Sequence, residues 1–296
     1  MQLLEAIASI RSGFLDTLFS LVTRLGEEII AIVILCAIFW CIDKKLAYCI
    51  GISYFLSGLF VQGLKISFRI DRPWIIDSSF KPVESAMEHA TGYSFPSGHT
   101  QSAAAVFGTL GLSLKKGWQK TLCFSAVVLV AFSRLYLGVH TLQDVVVSAC
   151  ISLTFAVLMV VFYGKKDRTP GGQLVLPLLL SLIAVITVIL AAVLSGSGLI
   201  TESYVIDCLK AAGAGIGFAV GMYIEKRFIM FSVSCRNVWM QAVKYALGII
   251  GVLAVKEGLK LVIGTGMAAD TFRYILIGLF ITAIYPWIIK RVFQTK

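Results

Sequence analysis

Charge is what this 296-residue chain has least of. Asp, Glu, Lys and Arg make up 14% of it and apolar residues 58%, against about 25% charged residues in an average globular domain. That balance excludes an ordinary soluble domain. Asparagine occurs once, at Asn237, and Val-Trp follows it, so no Asn-x-Ser/Thr glycosylation site exists. No cysteine pair has metal-site spacing. Most of the seven cysteines fall in apolar runs, where they serve as small packing residues. Nor is any cluster of Asp and Glu spaced to hold Mg²⁺.

What is present is a series of apolar blocks near the ~20 residues that cross a bilayer as helix. They predict nine spans: Ile29–Ile42, Leu46–Leu64, Thr100–Leu114, Leu122–Val139, Val145–Tyr163, Leu174–Leu194, Tyr204–Ile224, Val238–Ile263 and Phe272–Ile289. Ahead of them, Leu3, Ile7, Ile10, Phe14, Leu18 and Leu21 recur at helical spacing. This predicts an amphipathic helix over residues 1–24 lying in the membrane interface. The stretch lacks the basic start and small-residue cleavage site of a signal peptide. The expected fold class is therefore all-α, a polytopic membrane helix bundle of about nine transmembrane helices plus an N-terminal interfacial helix. Residues 25–163 would form a core holding every polar cluster, and residues 174–296 additional helices holding none. Gly213, Gly217 and Gly221, every fourth residue of the seventh span, predict close helix packing within the chain.

The net charge of +10 follows the same order. Lys44-Lys45, Lys115-Lys116-Lys120, Lys165-Lys166-Arg168, Lys226-Arg227 and Lys290-Arg291 each follow an odd-numbered span. Basic loops stay in the cytoplasm, so every marker gives one orientation, with the N-terminal helix outside and the C-terminus inside. Topology explains the basic balance, and no nucleic-acid partner is expected.

Three polar clusters interrupt this pattern at predicted outer span ends. Lys65, Arg72 and Arg134 are cations where the outer loops are otherwise poor in them. Cations at span ends snorkel to headgroups, so each alone is ambiguous, but three together suit a phosphate dianion. Pro96-Ser97-Gly98-His99 opens the third span, where exposed N–H groups favour an anion. By itself the tetrapeptide is also an ordinary capped helix start. His140 and Asp144 stand four apart, a spacing that shares one helical face. There the carboxylate can accept the Nδ1–H, fix the tautomer and leave Nε2 as nucleophile or base. A helix-start ion pair is the plainer alternative. His99, with no carboxylate at comparable spacing, suits a proton donor.

Taken in order, Lys65 with Arg72-Pro73, then Pro96-Ser97-Gly98-His99, then Ser133-Arg134 with His140 and Asp144 resemble the signature of the type-2 phosphatidic acid phosphatase superfamily. The resemblance runs from about Lys65 to Asp144. The extra spans after it look more like the sphingosine-phosphate, dolichyl-diphosphate and glucose-6-phosphatase branch than the compact six-span bacterial enzymes. It implies that His140 attacks phosphorus to form a phosphohistidine, with Asp144 orienting it. His99 would protonate the leaving oxygen and then activate water. Lys65, Arg72, Ser97, the Gly98 N–H and Arg134 would hold the phosphoryl oxygens. Side chains supply the positive charge, so neither metal nor other cofactor is required.

The expected activity is hydrolysis of a lipid phosphate monoester or polyprenyl diphosphate, undecaprenyl diphosphate among them, on the outer membrane face. A soluble sugar-phosphate phosphatase and a non-hydrolytic lipid transporter of the same fold are the alternatives. The hydropathy excludes the soluble vanadium haloperoxidases, which share such an oxyanion site. The expected location is a bacterial plasma membrane with the site outward, or else an endoplasmic reticulum membrane with the site lumenal. The sequence leaves the oligomeric state open. His89, with Glu84 and Glu88, is expected in a solvated loop, and Lys256, Glu257 and Lys260 either snorkel or line a substrate entrance. Trp40, Trp74, Trp118 and Trp287 are expected as interface anchors.

Overall fold

A computed structural model describes residues 1–87, 90–166 and 172–294. Glu88 and His89 lie outside the described residues, as do residues 167–171 of the expected 164–173 loop. Helix accounts for 81% of the structure, and no strand occurs among the described residues. The first helices in chain order are α1 (Gln2–Ala8), α2 (Gly13–Thr23), α3 (Glu28–Cys41) and α4 (Lys44–Phe68). Two short turns follow, α5 (Pro73–Ile76) and α6 (Glu84–Met87). Next, α7 (Gly98–Ala103) and α8 (Thr109–Ser113) are joined by a π turn, Ala104–Gly108. Four long helices come after them: α9 (Gly117–Tyr136), α10 (Leu142–Lys166), α11 (Gly172–Gly196) and α12 (Glu202–Ile224). The last are α13 (Val238–Leu253) and α14 (Leu259–Ile263), then α15 (Met267–Leu279) and α16 (Tyr285–Val292), each pair again joined by a π turn.

Among the described residues five helices are long and apolar enough to cross a membrane, or six if the bent pair at the N-terminus counts as one span. Nine spans were expected, and the other four segments are helical but fall short of that measure. Helix α3 has only 14 residues. The α7–α8 segment, π turn included, runs only from Gly98 to Ser113. Helix α9 is polar at both ends through Gln119, Lys120 and Arg134, and α13–α14 carries Lys244, Lys256, Glu257 and Lys260. The single N-terminal helix expected over residues 1–24 is instead two helices bent by 119°. They fold onto α9, burying Leu4 and Ile7, while Ile10, Phe14 and Leu21 stay exposed.

One core joins the front and back of the chain. Helix α4 packs against α3, α10, α11 and α12, and α12 lies along α15. The α12–α15 contact is close because glycine removes the side chain where backbones meet. A Cβ on Gly213 would sit 2.8 Å from the Thr271 carbonyl, and one on Gly217 would strike that of Ile275. The glycine repeat therefore packs within the chain. Trp40 is fully buried, its indole N–H donating to the Ile281 carbonyl at 3.0 Å. That overturns its expected role as an interface anchor, whereas Trp118 and Trp287 are exposed.

Candidate active site

Local backbone rules aim the first cations. Helix α4 ends where Arg69 turns left-handed at φ 52°. Pro73 then forces its predecessor out of helical conformation, and Arg72 is extended, with Pro73 opening α5. The Arg72 side chain swings inward and is 4% exposed. It donates from Nε to the Gly92 carbonyl at 3.0 Å, from Nη2 to Thr91 at 2.7 Å and from Nη1 to Val139 at 2.9 Å. Lys65 Nζ donates to the Tyr93 carbonyl at 2.8 Å. Tyr93 in turn stacks on Tyr204 of α12 at 4.3 Å, so the back part of the chain braces the loop that holds both cations.

The histidine pair is arranged differently from the helical face expected. His140 precedes α10, and only Asp144 lies in its first turn. Thr141 starts the helix: its N–H donates to Asp144 Oδ2 at 2.8 Å, and its hydroxyl accepts from the Asp144 N–H at 3.4 Å. That is a capping box closed by Asp. The same Oδ2 accepts from the Ser94 hydroxyl at 2.5 Å and lies 3.4 Å from His140 Nδ1. On the other ring edge, Arg72 Nη1 is 2.9 Å from Nε2. A guanidinium only donates, so Nε2 must accept there and Nδ1 carries the proton, toward Asp144. Burial first, then the charges of Arg72, Arg134 and Lys65, holds the His140 pKa well below the usual 6.5. The imidazole is therefore neutral, and the Asp144 contact orients it rather than forming a charged pair.

His99 enters from α7, whose start is pinned to α10. The Ser97 N–H donates to the Asp144 carbonyl at 3.1 Å, and the Ser148 hydroxyl donates to the Ser97 carbonyl at 2.6 Å. Gly26 backs this loop, since a Cβ there would come 2.6 Å from the His99 carbonyl oxygen. A Cβ on Gly98 would meet nothing within 4 Å, so its backbone faces open space. Ser97 is fully buried, and its hydroxyl caps α7 by accepting from the Thr100 N–H at 3.4 Å. It does not line the cavity. Arg134, in the last turn of α9 and 2% exposed, donates from Nη1 to the Thr23 hydroxyl at 2.8 Å. Its Nε–H is buried with no partner.

These groups share one cavity of about 590 Å³, one end of which carries Lys65, Arg72, Gly98, His99, Arg134 and His140. Among the described residues Lys65, Arg72 and Arg134 have no carboxylate within 4 Å; Glu27, Glu28 and Asp207 line the same cavity at longer range, so the three cations are not paired directly. An anion there would satisfy the orphan Nε–H and screen the three cations from one another. Ser94, Gly26 and the 91–93 carbonyls have no sequence signature, and the reading of the sequence missed them.

Two family models describe this chain. Residues 44–168, which hold all three clusters, match the PAP2 superfamily. Residues 209–296 match the PAP2 superfamily phosphatase transmembrane extension. The chain belongs to the PAP2 superfamily. Among PAP2 relatives, sphingosine-1-phosphate phosphatase 2 of Homo sapiens is 25% identical over 271 residues, covering 84% of this chain and 65% of that protein. A probable sphingosine-1-phosphate phosphatase of Dictyostelium discoideum is 30% identical, over 50% of this chain and 38% of that one. Phosphatidylglycerophosphatase B of Bacillus subtilis (strain 168) is 30% identical over 34% of this chain and 53% of its own. The chain thus spans between about a third and two thirds of these curated relatives. The crystal structure of the first transmembrane PAP2 type phosphatidylglycerolphosphate phosphatase from Bacillus subtilis aligns with a TM-score of 0.48 and 25% identity, covering 56% of this chain and 85% of that one.

Proposed function

We propose that this PAP2 protein is an integral-membrane phosphatase hydrolysing a lipid phosphate monoester or polyprenyl diphosphate through a phosphohistidine. The observation that carries this reading is the conjunction of three cations without carboxylate partners and two histidines on one cavity wall, with Asp144 behind His140. Lys65, Arg72, Arg134 and the Gly98 N–H hold the phosphoryl oxygens; Ser97 fixes the loop that presents Gly98. His140 Nε2 attacks phosphorus as the P–O bond to the lipid breaks, and His99 gives its proton to the leaving oxygen. His99 then takes a proton from water, whose oxygen attacks phosphorus and breaks the P–N bond. Inorganic phosphate leaves and both histidines return to their starting forms.

Residues 25–163 supply this chemistry, and residues 174–296 wall the site. All nine helical segments cross the membrane in this reading, with basic loops inside and His140 at the outer face of a bacterial plasma membrane. The relatives' names make sphingosine 1-phosphate and phosphatidylglycerophosphate the first lipids to try, beside undecaprenyl diphosphate. Purified protein with EDTA present should release phosphate from one of these and form an acid-labile phosphoenzyme. His140→Ala should abolish both, while eluting as a single species. Unchanged turnover in that variant would refute the mechanism.

A further inference from the structure

The cavity does not stop at the phosphate end. Along α4 its wall continues from Lys65 to Ile50, about 22 Å of axis at 1.5 Å per residue. Along α12 it runs from Tyr204 to Phe218, again about 21 Å. One leaflet of hydrocarbon is only about 15 Å deep, half of a ~30 Å core. The charged groups of the proposed chemistry sit at the outer end, whereas Leu59, Val106, Phe218 and Ile281 line the depths. Spread over that length, 590 Å³ gives a section of roughly 27 Å², the girth of one hydrocarbon chain.

Both the width and the end of this channel are fixed. The glycine contacts hold α12 against α15 backbone to backbone, so that wall cannot retreat. Phe218 closes the inner end, its ring 5.1 Å from Phe55 and 6.3 Å from Tyr48, and a Cβ on Gly51 would collide with it. Between these ends α12 presents Asp207 and Lys210, 3.7 Å apart and nearer the phosphate end, and below them only Ala211 and Ala214, small residues that leave the deeper part open.

We infer that the channel takes the single tail of the substrate into the protein and that the α12 wall measures its length. The substrate class is a phosphate ester with one long hydrocarbon tail, an inference that rests on the phosphatase reading. Wild-type protein in mixed micelles should hydrolyse octadecyl phosphate with higher kcat/KM than octyl phosphate, dioleoyl phosphatidate or glucose 6-phosphate. Ala214→Phe, and to a lesser degree Ala214→Leu, should lower the octadecyl-to-octyl ratio, the former by about ten-fold or more. Leu178→Phe, on the exposed face of α11, should leave that ratio as it was. A wild-type preference for the diacyl lipid or the sugar phosphate, or an unaltered ratio in whichever Ala214 variant folds, overturns the inference and leaves the phosphatase reading standing. Failure of wild-type protein to hydrolyse any phosphate ester overturns both.

Discussion

The end of this bundle that the proposed topology places outside and the end it places inside both hold cations, but they treat the charge differently. At the inner end Lys44 meets the buried Glu225 carboxylate at 2.7 Å, and Tyr48 donates to the same group. Lys226 lies 4.9 Å from the Tyr48 ring and 4.7 Å from that of Tyr163. At the outer end Lys65, Arg72 and Arg134 are met by carbonyls, a hydroxyl and one imidazole, with no carboxylate within ion-pair range among the described residues. Carbonyl dipoles hold a guanidinium in place without neutralising it. Burial is costly for charge left in that state, and an anion is what would relieve it. The inner cluster is complete as it stands; the outer one is missing a partner.

The sharpest way to break this contrast is to remove one charge from each end. Arg134→Met should cut phosphate release by about 10²–10³-fold, the usual cost of losing one donor to a developing oxyanion, without lowering thermal stability in detergent. Glu225→Ala should do the reverse, costing about 1–3 kcal/mol by leaving the buried Tyr48 hydroxyl and the half-buried Lys44 without that carboxylate while turnover at low temperature persists. If Arg134→Met melted early and Glu225→Ala did not, the assignment of roles to the two ends would be inverted.

A second test adds the missing anion. Orthovanadate or phosphate at about 100 times its Kd should stabilise the wild type by about 2.7 kcal/mol, read as a rise in melting temperature. The rise should survive in Glu225→Gln and vanish in Arg134→Met. A rise of equal size in both variants would place the anion elsewhere.

The pH profile sharpens the outer end further. Attack requires neutral His140, and burial together with Arg72, Arg134 and Lys65 depresses its pKa. Protonation on the acid side therefore sets the lower limb of kcat/KM, below the ordinary histidine range. Removing a neighbouring cation relieves the repulsion, so Lys65→Met should move that limb to higher pH. A limb that stays put would mean that another group controls it. The smallest effect expected is that of Ser94→Ala, which removes one donor from Asp144 and should slow turnover by about ten-fold or less, with KM little changed.

How much of this was legible beforehand varies by residue. The motif spacings named Lys65, Arg72, His99, Arg134, His140 and Asp144, all of which the fold brings together around one cavity apart from Asp144, which stands behind His140. Ser97 was expected on phosphate; its hydroxyl oxygen accepts from Thr100 at the start of α7 and the residue stands off the cavity wall, something a tetrapeptide pattern does not disclose. His140 was expected on a helix and precedes one, because Thr141 takes the capping position. The hydropathy blocks located nine helical segments, but residue type alone could not tell which are long enough to cross a membrane, since where a helix stops depends on caps and chain bends that packing sets.

By itself the sequence determined that this is a helical membrane protein with a phosphate-type residue set in a recognisable order. Apolar content and residue spacing are local properties, carried by the chain wherever it folds. Only the tertiary structure decided what surrounds that set. The 91–93 carbonyls that hold Arg72 and Lys65 belong to the backbone, which every residue shares and no letter marks. The α12–α15 wall comes from helices that lie well beyond the last motif in the chain, chosen by glycine contacts that exist only once the helices meet. Charge without a partner is likewise a fact about distance, and distance is settled by the fold.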